Sequence, residues 1–131
     1  MVIALNIALW TFSIILCLAS ADQVQHVKDY LAVRGFTGCL HPLGSRHYEQ
    51  YRRVQNGACN RVLFPLVIIR PRSTRDVAIG VKAAEAARLP ISVRSGGHGY
   101  TCNNLKNGSL HFDMRAINHV SVVSRGYGQV R

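Results

Sequence analysis

The chain has 131 residues, 48% hydrophobic and 17% charged, which allows one modest domain and excludes a disordered composition. Lys and Arg total 16 against 6 for Asp and Glu, a formal net charge of +10 that excludes an acidic tail or a calcium-loading protein. Only Lys28, Lys82 and Lys106 are lysines. The arginines scatter, apart from Arg52-Arg53 and the Arg70/Arg72/Arg75 group, so no nucleic-acid arm is present.

Residues 1–20 carry no charged side chain, and an apolar run from Ile3 to Leu16 ends in Ala19-Ser20-Ala21, a small-x-small cleavage pattern. The run is long enough to span a membrane, but Asp22-Gln23 follows it instead of a basic stop-transfer flank. The reading is a secretory signal over 1–21, an extracellular protein, and no membrane partner after cleavage. The mature part keeps Cys39, Cys59 and Cys102 in an oxidising compartment. Three cysteines allow one bridge, with Cys39 to Cys102 or Cys59 as the options, and leave one thiol over. That odd count suits a piece of a longer protein.

Asp22 to Val33 reads as a short amphipathic helix, with Val24, Val27 and Leu31 at helical spacing and Gly35 to end it. Gly38 to Cys59 reads as an irregular connector, so 22–59 is taken as an N-terminal helix and connector. Leu66-Val67-Ile68-Ile69 is an unbroken apolar strand, the pattern of burial on both faces in a parallel sheet. Ser73 can cap a following helix, with the Asp76 carboxylate answering from three residues on. Val77, Val81, Ala84 and Arg88 mark one stripe of that helix, Gly80 is a local cost where helix and sheet approach closely, and Pro90 stops it. Ile91-Ser92-Val93-Arg94 is a second strand, making Leu66 to Arg94 a β-α-β unit. After the Asn107-Gly108 turn, Leu110, Phe112 and Met114 alternate with His111 and Asp113, so a third strand has His111 partly exposed. Val120, Val122 and Val123 start another. Gly126 to Arg131 carry no stop signal, so the fold is read as ending mid-sheet.

Arg94-Ser95-Gly96-Gly97-His98-Gly99 falls where a parallel strand ends, the edge at which open α/β sheets bind ligands. Its glycines permit positive φ and close approach, and successive N–H groups can line an anion nest suited to a diphosphate. It is neither a Walker loop nor a dinucleotide fingerprint, since no Gly-Lys-Ser/Thr follows and a strand comes next. A plain Gly-rich turn is the competing reading. His98, wedged between glycines, has little packing role and is expected to face outward. No histidine or cysteine spacing supports a metal, and no Gly-x-Ser-x-Gly supports a serine triad.

Pro71-Arg72-Ser73-Thr74, Asp76-Val77, the Ala-rich helix, Pro90 to Tyr100 and Asp113-Met114 together resemble the N-terminal FAD-binding subdomain of PCMH-type (vanillyl-alcohol-oxidase-like) flavoproteins. The Ser95-Gly96-Gly97-His98-Gly99-Tyr100 form resembles the berberine-bridge-enzyme-like branch. The resemblance covers about Asn60 to Val123 and implies an α/β (α+β) fold, with 60–131 as a truncated FAD-binding subdomain. It implies FAD as cofactor, with Arg94, Ser95, Gly96, Gly97, His98, Gly99 and Tyr100 at the cofactor and His98 bonded covalently to the flavin 8-methyl carbon. Pro71 and the Ser95 side would help seat the adenosine diphosphate part. A second, cysteinyl link known in the branch lies farther along such chains, and Cys102 is not given that role. In the intact relative a small-molecule substrate, among sugars, alcohols and alkaloids, delivers hydride to flavin and dioxygen reoxidises it. No catalytic base is assigned, and the chain alone is expected to be inactive. Two rival readings are a secreted basic module for acidic glycan or nucleic acid, motivated by charge, and a structural disulfide domain, disfavoured by the odd cysteine count.

Overall fold

In the computed structural model, residues 2–124 and 127–130 are described. Helix α1 runs from Val2 to Val33, so the expected helix over 22–33 is the last part of a longer one. It stops where Gly35 takes φ +69°. Four short strands, β1 (Cys39–Pro42), β2 (Val67–Arg70), β3 (Ile91–Arg94) and β4 (Leu110–Asp113), form a mixed sheet in the order β1-β2-β4-β3. β1 is antiparallel to β2, while β2 and β3 both run parallel to β4.

The expected β-α-β unit is therefore split. β2 and β3 do not pair, because β4 lies between them. The side chains explain the order. Leu110 to Asp113 are all buried, as a central strand requires, whereas Ile91 and Val93 on β3 are exposed, as an edge strand permits. The same placement corrects the reading of His111 as partly exposed, since it is fully buried with a strand on either side.

Helix α4 (Thr74–Ala86) joins β2 to β3, and Ser73 Oγ caps it by accepting from Asp76 N at 3.1 Å. Its buried face is Asp76, Gly80, Ala83 and Ala84; of the predicted Val77/Val81/Ala84/Arg88 stripe, Ala84 is buried and Val77 packs against the core, while Val81 and Arg88 are exposed. Small residues win that face because the sheet is so near. A Cβ on Gly80 would stand 2.5 Å from Ile69 Cδ1 and 2.8 Å from Phe112 Cε1. Val27 and Leu31 of α1 join Val67, Ile69, Ala83, Ala84, Ala87, Leu89, Leu110 and Phe112 in one core on this side of the sheet.

The stretch read as an irregular connector carries structure. It supplies β1, then α2 (Tyr48–Arg52), and its end enters α3 (Gly57–Val62). Asn56 caps α3, and Val54, Cys59 and Leu105 form a second small core. Cys59 is bonded to Cys102, leaving Cys39 free. This corrects the expectation that Cys39 would take part, because β1 places Cys39 against β2, opposite Arg70. A 3-10 turn (Met114–Ala116) leads to β5 (Val120–Ser124), which pairs antiparallel with β6 (Tyr127–Val130) as a separate ribbon. Of the tail expected to lack a stop signal, residues 126 and 131 lie outside the described residues.

Candidate functional site

Alternation along the strands sorts the sheet into two chemistries. One face carries the apolar core. The other presents residues of the opposite parity: Ile68 and Arg70 on β2, Ser92 and Arg94 on β3, His111 and Asp113 on β4. Arg70, Arg94 and Asp113 are the last residues of three parallel strands, so one edge of the sheet collects two guanidiniums around a fully buried carboxylate.

A third guanidinium completes the cluster. Arg115 Nε and Nη2 donate to Asp113 Oδ1 and Oδ2 at 2.8 and 2.7 Å, and Arg70 Nε lies 3.3 Å from Oδ2. Burial pushes the Asp113 carboxyl up, but the side-chain and backbone bonds from Arg115, with the charges of Arg115 and Arg70, hold it below the usual carboxylate range. The same pairing raises Arg115. Tyr51 of α2 covers the cluster, with Arg70 Cζ 4.2 Å from its ring centroid and the His41 ring 4.6 Å away.

Arg94 leads from this cluster into the glycine loop. Its Nη1 donates to Tyr51 O at 3.0 Å, and its Nε is buried without a hydrogen-bond partner among the described residues. Burial first, then repulsion from Arg115, lowers its pKa from the ordinary guanidinium value. The guanidinium passes beneath Gly97, which is buried at φ +78°. A Cβ there would stand 3.0 Å from Arg94 Nε. Ser95, Gly96, His98, Gly99 and Tyr100 are exposed. Among the described residues, the N–H groups of Gly96, Gly97, His98 and Gly99 donate no backbone hydrogen bond. The loop is thus a row of unspent donors backed by positive charge.

The segment between α2 and α3 fixes the loop from one side. Gln55 N donates to Gly97 O at 2.9 Å, Gln55 Oε1 lies 2.5 Å from His98 Nδ1, and Asn56 Nδ2 donates to Tyr100 O at 2.8 Å. The Cys59–Cys102 bond ties down the chain just beyond. Pro71, by contrast, is buried at the other end of this edge, after β2.

The structure brings Arg94 through Tyr100 together in one loop at the strand ends. Sequence reasoning missed Asp113 and Arg115 as charge partners, and Tyr51 and Gln55 altogether. The Arg70 group and Asp113 were noticed, but their convergence depends on strand order. Gln55 lies 43 residues from His98 in sequence, and no local motif marks it.

Residues 65–131 match the family model described as an FAD binding domain. The chain is 35% identical over 78 residues to the FAD-linked oxidoreductase nodO of Hypoxylon pulicicidum, covering 59% of this chain and 17% of that protein. It is 33% identical over 78 residues to the FAD-linked oxidoreductase aurO of Gibberella zeae, covering 60% and 15%. Among solved structures it resembles 6-hydroxy-D-nicotine oxidase from Arthrobacter nicotinovorans, with TM-score 0.65 and 27% identity over 70% of this chain and 20% of that one. Berberine bridge enzyme from Eschscholzia californica matches with TM-score 0.67 at 19% identity, covering 73% and 21%, a likeness of fold alone. The chain thus spans about a sixth of the length of these curated relatives.

Proposed function

Because the chain belongs to the family of FAD binding domains, we propose that it is the N-terminal part of the cofactor domain of a secreted FAD-linked oxidoreductase. In this reading the loop Arg94 to Tyr100 holds the FAD diphosphate and His98 bonds covalently to the flavin. The observation that carries it is the glycine loop itself, with free amides at Gly96 to Gly99 over the buried Arg94 guanidinium. Those donors and that charge fit a diphosphate, and the absent Cβ atoms at Gly96 and Gly97 leave backbone where it can touch one.

When bound, FAD supplies the acceptor for hydride from a small-molecule substrate and passes the electrons to dioxygen. The chain's own residues bind and orient it. Loop amides donate to the phosphate oxygens, Arg94 stands behind them, and Arg70, Asp113 and Arg115 brace the strand ends beneath. His98 stays exposed. Covalent attachment suits a dilute extracellular setting because it prevents loss of the cofactor. Secretion is supported by the apolar leader and by the Cys59–Cys102 bond, which suits an oxidising compartment. Gln23 Nε2 donates to Ala87 O just past the expected cleavage point, so the part of α1 that packs in the core belongs to the mature protein.

The rival basic-module reading is weakened by where the arginines go. Arg52, Arg70 and Arg115 spend their guanidiniums on carbonyls, carboxylates and aromatic rings within the chain. The test is to refold the 131-residue chain with FAD and precipitate it with acid. No peroxide production from added sugars or alcohols is the expected result, whether or not flavin absorbance stays in the pellet. Peroxide from the chain alone overturns the inactivity proposal. Failure to retain flavin even in the protein expressed from its complete transcript overturns the flavin reading.

A further inference from the structure

We propose that Asn107 is an N-glycosylation site, filled while the chain is still unfolded. Asn107-Gly108-Ser109 is an Asn-x-Ser triplet without proline at its centre, and the pattern occurs once in the sequence. The turn that carries it is exposed at Asn107 and Gly108. Phe64 N donates to Asn107 Oδ1 at 2.6 Å, which identifies that atom as the amide oxygen, since an N–H needs an acceptor. The nitrogen Nδ2 is then on the other arm of the amide, and among the described residues it has no hydrogen-bond partner. Gly108 N donates to Phe64 O at 3.0 Å, so the turn is pinned from both sides while Nδ2 stays free. Gly108 itself takes φ +63°, and a Cβ built there meets nothing within 4 Å, so the space beside Asn107 is open.

The position also leaves the cofactor loop clear. β2, β3 and β4 run parallel, so Val67, Ile91 and Leu110 stand together at one end of the sheet and Arg94 and Asp113 at the other. Asn107 lies just before Leu110. The length of β4, about 10 Å, separates it from the strand ends where Arg94 enters the glycine loop. A glycan on Asn107 would stand instead beside Val62 and Phe64, both exposed.

The order of events follows from Ser109. The triplet requires a hydroxyl at its third position, so the transferring enzyme must reach Ser109 Oγ. In the folded chain Ser109 is wholly buried. Its Oγ donates to Lys106 O at 2.7 Å and lies 2.8 Å from Ser92 Oγ, inside the sheet. Folding therefore hides half of the recognition element while leaving the acceptor nitrogen outside. The donor is a lipid-linked oligosaccharide diphosphate. Asn107 Nδ2 bonds to the anomeric carbon of the first sugar as the bond from that carbon to the diphosphate oxygen breaks. The lipid diphosphate leaves with the electron pair, and one Nδ2 hydrogen departs as a proton.

The site rests on the secretion reading above, and the test separates the two. The chain is expressed in a eukaryotic secretory host in two forms, one with its own leader and one with residues 1–21 replaced by the host's leader. Digestion with peptide N-glycosidase in heavy-oxygen water turns a glycosylated asparagine into labelled aspartate, read by mass spectrometry at position 107. Because transfer precedes folding, lysate and medium are both read, and a chain that fails to fold still reports. In the host-leader form, labelled aspartate at 107 is expected, with a gel shift that Asn107→Gln abolishes and Ser109→Thr keeps. Unlabelled asparagine at 107 in host-leader chains that have lost their leader overturns the proposal. Failure of the native leader to deliver the chain to the medium, where the host leader succeeds, overturns the secretion reading and leaves the host-leader form to decide the site. A second measurement offers purified oligosaccharyltransferase and its lipid-linked donor either the folded, unmodified chain or a synthetic peptide of residues 101–113. Modification of the peptide and not of the folded chain is expected. Equal modification of both overturns the proposed order, and refusal of the peptide overturns the site.

Discussion

Asp113 and Arg115 clasp each other through two side-chain bonds of 2.8 and 2.7 Å, two residues apart at the end of the central strand. The carboxylate is wholly buried, and Arg70 and Arg94 stand on the strands either side. Removing that one negative charge leaves three guanidiniums facing one another. Asp113→Asn should cost about 3 kcal/mol, the usual penalty for breaking a buried pair from one side. Urea unfolding measures it. Adding Arg115→Gln should recover part of the loss, since the two changes share one interaction.

The buried polar face also predicts how stability varies with acid. Burial lowers the His111 pKa to about 4, with Asp113 opposing and Arg94 and Arg115 adding to the shift. The unfolded chain takes up this proton near pH 6.5 while the folded chain does not. Stability should therefore fall as pH drops from roughly 6.5 to 4, by up to about 1.4 kcal/mol per pH unit. His41, also lowered mainly by burial, contributes in the same direction. Asp113 and Asp76 are held below the usual carboxylate range, so the stability they add persists above that range and is lost in stronger acid still. Urea midpoints measured in steps of pH should show this slope, and His111→Asn, which can keep a bond to Ser92 Oγ, should flatten it.

The loop glycines should fail in different ways. Gly97→Val forces a β-branched residue to φ +78° and brings its Cβ to 3.0 Å from Arg94 Nε. It should cost roughly 1–3 kcal/mol and abolish flavin retention together. Gly96→Ala has no such φ penalty but meets the His98 ring. Stability should be nearly unchanged while covalent flavin is lost. Thermal melts and acid-pellet absorbance on both variants separate the two effects.

The Cys59–Cys102 bond closes a loop with a separation of 43 residues. Chain-entropy arithmetic gives about 4 kcal/mol for a loop of that size. Cys59→Ser with Cys102→Ser should lower stability by about that amount, whereas Cys39→Ser should be near neutral. Melting with and without reductant gives the same comparison for the unmodified chain.

Much of the frame was legible locally. Ser73 caps α4 as its position suggested, Gly80 marks a close approach, and the run Val67 to Ile69 is a strand buried on both faces. Those features are written within a few residues of where they act. The order of strands was not legible, because inserting β4 between β2 and β3 depends on which four-residue run can bury both faces, a comparison between distant segments. His111 was misread for that reason. Its polar alternation looks like a half-exposed strand, yet Ser92 Oγ at 2.9 Å satisfies Nδ1 inside the sheet. The same limit hid Gln55, whose only relation to His98 is spatial.

The central claim is that His98 carries the flavin. Its most direct test is peptide mapping of the protein expressed from its complete transcript with FAD, comparing wild type with His98→Ala. The account predicts an acid-stable flavin mass on the peptide holding residue 98, absent from the variant. Complete release of flavin from the wild-type protein by acid, or the same mass on another residue alone, would contradict it.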